Sequence, residues 1–588
     1  MSIDITADAG VAHRWRPRTE IIEIFMAIVA MISWVLLSEM TGNPYWIYTS
    51  RIVLILLIPA IFQNFIVVDA GQVSFGQGVM FGVAAYGLAI LFGKYEFPLA
   101  VAAVGGVALA TLAGIVFALP ALRVQGYYLG FVTFGAAMVF PELMTAADSI
   151  TNGVNGIAVY VPGMNTKILG ISLLSILILS AAILTLLSHF WIRQTRFGRA
   201  MQVMAASPEA AQTLGINPGL MRCAAFVIAA FGTGVAGLLY APTVGFVGPS
   251  AFHLELSMLF FFAVIVGGRG HFAGPLVGLA VLFVLPNMLL ADIVNYRLLI
   301  YGAIALIIML VLPNGIVGSF EKMLRQRRRA GESILGLQLD ALLYVETNTR
   351  GVDPSEIVVK VEGGNKRFGN VVAVDNVDFT VRRGEIHGLI GANGSGKTSL
   401  LNVLSGLSRL NSGKLWIFGR DVTDMAPHHI SRLGVGRTFQ TPRIFEDLSS
   451  WDNLRIGADA NPVRNVSSAL QEQIGRRLSR VPMEFVPHGE RRMLEVYRVS
   501  LKGADLLLLD EPASGLSASE RQNFATLLRQ LKSMGKTIVL VEHDLDFVVD
   551  VADRLTVMEA GRVAASGHPT EVKKNPVVSS LFEGMAHA

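Results

Sequence analysis

The sequence predicts an α-helical membrane domain with about ten spans, followed by an α/β domain. The chain has 588 residues, of which 52% are hydrophobic and 16% are charged, and its mean hydropathy is +0.53. A typical soluble protein carries roughly 25% charged residues. The long apolar runs end near residue 318, whereas strand-like stretches, charged helices and glycine turns begin near residue 356. This pattern excludes a disordered chain and argues against a wholly soluble one.

Charge and cysteine content exclude two further classes of protein. The chain has 48 basic and 44 acidic residues, a net charge of +4, which gives no basic footprint for nucleic-acid binding. Its single cysteine, Cys223, excludes an internal disulfide and a multi-cysteine metal site. We expect Cys223 to be a small buried apolar residue.

Ten apolar runs are candidate membrane spans, since roughly 20 apolar residues of helix cross a bilayer. They are Ile21–Met40, Ile52–Val68, Val79–Gly93, Phe97–Leu119, Tyr127–Leu143, Ile168–Trp191, Ala224–Tyr240, Leu256–Val266, Phe272–Leu290 and Leu298–Leu312. Leu256–Val266 is short enough to be re-entrant, so eight to ten full spans are expected.

Basic residues predict the orientation of these spans. They lie before the first span, after the sixth and after the last, at Arg14, Arg16, Arg18, Arg193, Arg196, Arg199 and Arg325–Arg329. With ten crossings all of these residues face the cytoplasm. The predicted domains are therefore a membrane domain over residues 1–320, a polar and basic linker over 321–355, and a cytoplasmic domain over 356–588.

A phosphate-binding loop opens the second half. Residues 391–398 read Gly-Ala-Asn-Gly-Ser-Gly-Lys-Thr and match the P-loop pattern between a predicted strand and a predicted helix. The glycines let successive N–H groups point at phosphates, Lys397 reaches the β- and γ-phosphates, and the Thr398 hydroxyl holds Mg²⁺. The candidate ATP-binding residues of this loop are Gly391, Asn393, Gly394, Ser395, Gly396, Lys397, Thr398 and Ser399.

Two adjacent carboxylates follow a run of four leucines, Leu506–Leu509. The run predicts a buried strand, which places Asp510 and Glu511 at its carboxyl end. Asp510 is positioned to bind Mg²⁺ through water, and Glu511 to polarise the attacking water. ATP and Mg²⁺ are therefore the expected ligands.

From about Ile357 onward the sequence resembles the ATPases of ABC transporters, and the resemblance assigns three more residues. Phe368 matches the aromatic residue that stacks on adenine. Gln440, in the sequence Arg-Thr-Phe-Gln, matches the Q-loop glutamine that contacts Mg²⁺. His543, after a strand-like run, matches the switch histidine that contacts the γ-phosphate, so the resemblance implies that Glu511 and His543 are catalytic.

The signature motif departs from the family pattern Leu-Ser-Gly-Gly-Gln. The matching residues are Pro487, His488, Gly489 and Glu490. Pro487 replaces the serine that hydrogen-bonds the γ-phosphate bound by the opposite subunit, and proline offers neither a hydroxyl nor an N–H. Gly489 and the helix N-terminus after it are retained, so we expect a weakened half-site that still favours an anion.

The membrane half is similar to permeases for hydrophobic amino acids. The similarity rests on Asp69–Gly78, Leu122–Tyr128, Thr151–Gly156 and Gly267–Gly270 with Gly274-Pro275. Residues 71–78 interrupt an apolar stretch, and broken membrane helices are tolerated where backbone lines a cavity. Gln72, Ser74 and Gln77 are therefore hypothesised to lie on the substrate path.

A cytoplasmic loop of the membrane half carries the pattern Glu-Ala-Ala-x-x-x-Gly, at Glu209, Ala210, Ala211 and Gly215. The pattern resembles the coupling loop of ABC importers. It predicts a short helix over residues 209–214, which docks on the ATPase near Gln440 and passes its closure to the spans.

The resemblance as a whole implies the fused permease–ATPase half of an ABC importer of the branched-chain amino-acid type. It implies ATP hydrolysis coupled to import, a second permease and ATPase (related chains or a second copy of this chain), and a periplasmic substrate-binding protein. The expected location is the bacterial inner membrane, within lipid, with both termini cytoplasmic. Importers of urea, short amides or other amino acids remain as alternatives, and an ABC exporter fits less well.

Overall fold

The computed structural model describes residues 16–122, 127–289, 297–326, 353–446, 448–460, 483, 486–575 and 578. Most of the predicted linker, and part of Leu122–Tyr128, lie outside these residues. The described residues form two compact units. The helical unit comprises those of Arg14–Ala206 and Pro218–Ala330. The α/β unit comprises Ser207–Asn217 together with the described residues of Gly331–Ala588.

Helices dominate the first part of the chain. They are α1 (Arg16–Thr41), α2 (Pro44–Asn64), α3 (Gln77–Leu88), α4 (Leu99–Ala121), α5 (Tyr127–Ala146), α6 (Asp148–Thr151), α7 (Leu173–Gln194), α8 (Arg196–Ala206), α9 (Pro208–Thr213), α10 (Pro218–Val244), α11 (Leu254–Gly267), α12 (Gly274–Leu279), α13 (Leu285–Leu289), α14 (Arg297–Val311) and α15 (Gly315–Gln326). Two small antiparallel pairs join β1 (Ile157–Ala158) to β4 (Phe246–Val247) and β2 (Lys167–Ile168) to β3 (Ile171–Ser172).

Among the described residues, nine helices are long and apolar enough to cross a membrane, and Gly274–Asn287 is a tenth, shorter apolar helix. The predicted membrane fold is therefore confirmed, but the short segment differs from the expected one. The run at Leu256–Val266 belongs to α11, which together with the 3-10 turn Pro249–Phe252 before it forms a 19-residue helical segment, Pro249–Gly267. His253 is the extended N-cap of α11, and Glu255 lies in the first turn, where an acidic residue is favoured, so α11 begins before the apolar run does.

Small residues hold the helical unit together. Along α4, five buried residues recur every fourth position, and they are Ala102, Gly106, Ala110, Gly114 and Ala118. This stripe lets α4 pack closely on α3 and α10, as helices in lipid do when small residues line their contact. Large apolar side chains such as Leu112 and Val116 are exposed on α4, as expected for a face that meets lipid.

The α/β unit contains two sheets. Its elements from residue 357 are β5 (Ile357–Phe368), β6 (Val371–Arg382), β7 (Ile386–Gly391), α16 (Lys397–Leu404), β8 (Ser412–Ile417), β9 (Arg420–Asp421), α17 (Pro427–Arg432), β10 (Val435–Arg437), α18 (Ser450–Asp459), α19 (His488–Leu501), β11 (Leu506–Asp510), α20 (Ala518–Ser533), β12 (Thr537–Val541), α21 (Leu545–Val551), β13 (Arg554–Glu559), β14 (Arg562–Gly567) and α22 (Pro569–Val572). The antiparallel sheet has the order β6-β5-β8-β9, and the six-stranded sheet has the order β10-β11-β12-β7-β13-β14. Strands β10, β11, β12, β7 and β13 are parallel, so their carboxyl ends share one edge.

Candidate nucleotide-binding site

The P-loop lies at the carboxyl edge of the six-stranded sheet. Strand β7 is buried along its whole length, because it lies between β12 and β13, and the chain turns from it into α16 at Lys397. The Lys397 ammonium donates to the carbonyls of Gly391, at 2.8 Å, and Ala392, at 2.9 Å. Burial lowers the pKa of Lys397, while the nearby carboxylates of Glu511 and Asp510 favour its charged form. The lysine is thus held at the mouth of the loop.

The loop fits a phosphate chain with Mg²⁺. Gly396 has φ +101°, and a Cβ there would collide with the carbonyl of Ala373, so only glycine suits this turn. A Cβ at Gly394 would meet no atom within 4 Å, so the loop faces open space on that side. Among the described residues, Ser395 Oγ and Asp510 Oδ1 are buried without a hydrogen-bond partner. A phosphate oxygen would satisfy the first atom, and Mg²⁺-bound water the second.

Asp510 ends the buried strand β11, two strands from the P-loop strand. Its Oδ2 lies 3.5 Å from Nη2 of Arg437, and both side chains are almost fully buried. Arg437 also donates to the Leu401 carbonyl, at 2.9 Å, and to Ser405 Oγ. Burial raises the pKa of Asp510, and Arg437 opposes that rise. Sequence reasoning missed Arg437, although it precedes the Q-loop by three residues.

Glu511 is the meeting point of the predicted catalytic residues. The Gln440 amide donates to Glu511 Oε2 at 3.0 Å, and His543 Nδ1 lies 3.9 Å from the same oxygen. Arg492 of α19 donates to the backbone carbonyl of Glu511. Glu511 itself has φ +45°, a strained conformation for a residue with a side chain. Three distant sequence motifs are therefore brought together at one carboxylate.

A second buried carboxylate, Glu542, lies beside this cluster. It is 1% exposed, its Oε1 accepts the Ala513 N–H at 2.6 Å, and its Oε2 lies 3.8 Å from His543 Nδ1. Burial raises the pKa of Glu542 to about 7, and the charge of Glu511 adds to the rise. Sequence reasoning missed this residue. Its position immediately before His543, at the end of β12, was the available signal.

The signature region forms the amino end of α19. Pro487 is the N-cap residue and provides no side-chain hydrogen bond. Glu490 is buried, while the side chain of His488 lies outside the described residues. Gly489 faces the Glu520 carboxylate so closely that a Cβ would overlap it. Glu520 forms a capping box with Ser517 at the start of α20, which fixes the carboxylate against Gly489.

Phe368 ends β5 with its ring 51% exposed. The Lys366 ammonium lies 4.9 Å from the ring centroid, a cation–π contact. An exposed aromatic ring offers a stacking face, as the adenine prediction requires.

Residues 207–217, the coupling segment, cluster with the α/β unit. Ser207 caps α9 by accepting the Ala210 N–H, and Pro208 follows at the first helical position. Ala210 and Ala211 are buried, and Gly215 has φ +84°. Glu209 lies 3.5 Å from Arg443, three residues after Gln440, and the Arg443 N–H donates to Glu495 of α19 at 3.1 Å. The segment therefore contacts the Q-loop region.

The polar side chains at the helix break after α2 form hydrogen bonds with nearby groups, mostly of the backbone. Gln72 donates to the carbonyls of Ala70 and Gly71, and Ser74 Oγ accepts the Gly76 N–H. Gln77 Oε1 accepts the hydroxyl of Thr233, at 2.5 Å. All three predicted side chains are buried, and Gln72 Oε1 and Gln77 Nε2 have no hydrogen-bond partner within the part of the chain that the structure describes. Two polar atoms thus remain for another ligand.

A charged network next to the break was not predicted. Asp69 is buried and contacts His189 at 2.8 Å, Arg193 at 3.1 Å and Gln202 at 3.1 Å. These partners lie on α7 and α8, and α8 leads directly into the coupling segment. The only signal in the sequence for this network was that Asp69 directly precedes the glycine-rich break.

Comparison with known proteins identifies both halves. The family model described as branched-chain amino acid transport system / permease component matches residues 45–312, and the model for ABC transporter matches residues 374–514. A probable branched-chain amino acid transport ATP-binding protein of Archaeoglobus fulgidus is 32% identical over 246 residues, which cover 39% of this chain and 95% of that protein. The high-affinity branched-chain amino acid transport ATP-binding protein BraF of Pseudomonas aeruginosa is 30% identical over 254 residues, 40% of this chain and 100% of that protein.

The similarity of the ATPase half extends further. A sulfate/thiosulfate import ATP-binding protein of Mycolicibacterium paratuberculosis is 36% identical over 234 residues, covering 38% of this chain and 64% of that protein. Among solved structures, the ADP conformation of an ATP-binding cassette of an ABC transporter is 25% identical, with a TM-score of 0.35, and covers 39% of this chain and 100% of that one.

Proposed function

Since the chain belongs to the ABC transporter family, as a branched-chain amino acid type permease domain fused to an ATP-binding cassette, we propose that ATP hydrolysis drives import of small amino acids. Branched-chain amino acids are the leading candidates. The match of residues 45–312 to the permease component carries this proposal. The ATPase half alone does not set the substrate, because it is also similar to an ATP-binding protein of sulfate import.

The polar atoms at the helix break support a substrate without net charge. Two atoms there lack a hydrogen-bond partner among the described residues, Gln72 Oε1 and Gln77 Nε2, and both belong to neutral amide groups. One accepts and the other donates a hydrogen bond, so the pair suits a zwitterion or an amide better than an ion. Urea and short amides therefore remain competing substrates for the uptake measurement.

In the proposed cycle, each group of described side chains has a separate role. Phe368 stacks on adenine, and the P-loop with Lys397 holds the phosphates. Glu511 accepts a proton from the attacking water, while Gln440 and His543 orient its carboxylate. Thr398, Gln440 and Asp510 would hold Mg²⁺, which would supply charge neutralisation at the phosphates. Closure of the cassette then moves the coupling segment and, through the continuous chain, the spans on either side of it.

One P-loop and one permease domain make half of a transporter. We propose that the other half is a related permease and ATPase or a second copy of this chain, and that a periplasmic binding protein delivers the substrate. The part of the chain that the structure describes has nine helices long enough to cross a membrane and one shorter apolar helix. With ten crossings, as we propose, both termini lie on one side. The basic residues put that side in the cytoplasm of a bacterial inner membrane.

Uptake of labelled leucine tests the proposal. Cells express the chain with its partner subunits, as wild type or as Glu511→Gln, at matched membrane levels. We expect the variant to abolish uptake, because the carboxylate that activates water is lost. Equal uptake by both would refute ATP-driven import of leucine. Competition by unlabelled valine, urea and sulfate then defines the substrate range.

A further inference from the structure

The carboxyl end of the coupling helix α9 is held by two polar side chains of the α/β unit. The carbonyl of Thr213, the last residue of α9, accepts the Ser431 hydroxyl at 2.6 Å and the Lys502 ammonium at 3.0 Å. Carbonyls at the end of a helix lack partners within it and carry partial negative charge. A cation is therefore well matched to this position. The neighbouring Arg432 also donates, to the carbonyl of Gly215 at 3.1 Å.

The Lys502 ammonium is buried and fully hydrogen-bonded at this contact. Lys502 is 7% exposed, and its ammonium also donates to the Val435 carbonyl, at 2.7 Å, and to Ser431 Oγ. All three donors of the ammonium group are thus used, and one of the three acceptors belongs to the coupling segment.

The position of Lys502 connects two parts of the proposed machinery. It is the C-cap residue of α19, the 14-residue helix that begins at the signature motif. Such a helix is about 21 Å long and moves as a rigid rod. Midway along it, Glu495 accepts the Arg443 N–H, so α19 also contacts the Q-loop region. One helix therefore connects the signature end with the residue that holds Thr213.

We propose that Lys502 and Ser431 form a latch that holds the coupling segment on the cassette and is needed to convert ATP hydrolysis into transport. The latch rests on the proposed function for its role in transport, but its contacts do not depend on that function. Lys502 acts here as a positioning residue, since it does not contact the nucleotide site.

The latch should also depend on pH, because Lys502 can gain or lose a proton. Burial lowers the pKa of Lys502 to about 7, and no ionic partner offsets that effect among the described residues. The charged or titratable residues on the elements around it are Glu209 on α9, His428, His429 and Arg432 on α17, Arg437 on β10, and His488, Glu490, Arg491, Arg492, Glu495, Tyr497 and Arg498 on α19. If α9 lifts away, water reaches the ammonium and its pKa rises. Above about pH 7 docking therefore releases a proton, so docking strengthens as the pH rises from that value, whereas below it Lys502 is charged in both states and docking does not depend on this group.

Amide hydrogen exchange in the full chain, in detergent, tests the latch without any transport. We expect residues 208–216 of wild type to be more protected at pH 8 than at pH 6.5, after correction for intrinsic exchange rates. Lys502→Met should lower this protection about tenfold and remove its pH dependence, because both the hydrogen bond to the Thr213 carbonyl and the titrating group are lost. Lys536→Met, which removes another buried lysine paired with Asp505, should change neither. Equal protection in wild type and Lys502→Met overturns the latch.

A second variant and a functional measurement complete the test. Ser431→Ala removes one hydroxyl without removing a charge, and should lower the protection of the same segment with little risk to folding. In both variants the amount transported per ATP hydrolysed should fall about fivefold or more, the usual size of coupling between sites. An unchanged ratio refutes the coupling role. If wild type transports nothing but the exchange result holds, the proposed function fails, while the holding of the coupling segment by Lys502 and Ser431 is still supported.

Discussion

Replacing Glu542 with glutamine should change how the stability of the α/β unit depends on pH. The carboxylate is 1% exposed, and its Oε1 accepts the N–H of Ala513 at 2.6 Å. Glutamine keeps an oxygen acceptor of the same length and removes the titration. The substitution therefore isolates the charge of Glu542 from its packing and from its hydrogen bond.

The magnitude follows from the pKa of this group. Burial raises the pKa of Glu542 from 4.5 to about 7. Between these values the unfolded chain is deprotonated while the folded chain stays protonated, so folding stability falls as the pH rises from 4.5 to 7. The difference of about 2.5 pKa units corresponds to about 3 kcal/mol, lost in full above pH 7. Since the variant does not titrate here, it should gain about 3 kcal/mol over wild type between pH 4.5 and pH 8.

Thermal unfolding of the full chain in detergent, followed in the α/β unit at pH 5 and pH 8, measures this gain. For a domain of this size about 3 kcal/mol shifts the midpoint by roughly 6–12 °C. Glu495 is also buried and has a raised pKa, but its contribution is common to both proteins and cancels in the difference. Glu559→Gln, at the exposed end of β13, is the matched control and should show no such shift. A midpoint difference that is the same at both pH values would refute the reasoning.

Two further substitutions have matched controls in the chain. Gly71→Ala should destabilise the helical unit by about 1–3 kcal/mol more than Gly42→Ala. Both glycines have φ near +60°, but a Cβ at Gly71 would lie 2.9 Å from the Cα of Ala205, whereas one at Gly42 meets no atom within 4 Å. Half-life in detergent measures this, and equal losses would show that the contact is unimportant. Arg437→Met should cost about 3–5 kcal/mol, because it leaves Asp510 buried without its cation, whereas Arg562→Met, at an exposed ion pair, should cost under about 1 kcal/mol. Thermal unfolding compares the two, and a similar cost for both would contradict the buried-pair argument.

Local sequence patterns predicted the fold better than they predicted the surroundings of the site. The P-loop is contiguous in sequence, and the parallel order of the strands places Asp510 and Glu511 at the same edge as Lys397. Arg437 and Glu542 were not predicted, because a charged residue in a single sequence is normally expected at the surface. Only the folded sheet shows that both are buried and that each faces a carboxylate of the motif.

In the same way, the hydropathy pattern located the apolar runs but did not predict where each helix begins and ends. It counted ten candidate spans, and it assigned the short one to Leu256–Val266. Within the described residues, the following apolar helix, Gly274–Asn287, is the shorter one, while Leu256–Val266 lies in a 19-residue helical segment, Pro249–Gly267. Gln72, Ser74 and Gln77 show the same limit, because the pattern revealed a break but not that Gln72 and Ser74 bond to its backbone or that Gln77 bonds to Thr233.

The coupling segment illustrates how a small contact can transmit movement along the chain. Its helix has six residues, and its carboxyl end is held through a few hydrogen bonds to Ser431, Arg432 and Lys502. Two free molecules would not associate through so small a surface. The segment, however, is joined to α8 and α10 by the chain at both ends, which raises its effective concentration without any additional contact. A contact that is weak in itself but favoured by its tethers can open and close within one cycle, which a large apolar interface would resist. For this reason a few polar residues at the carboxyl end of α9, rather than an extensive buried surface, are suited to carrying the signal from the cassette.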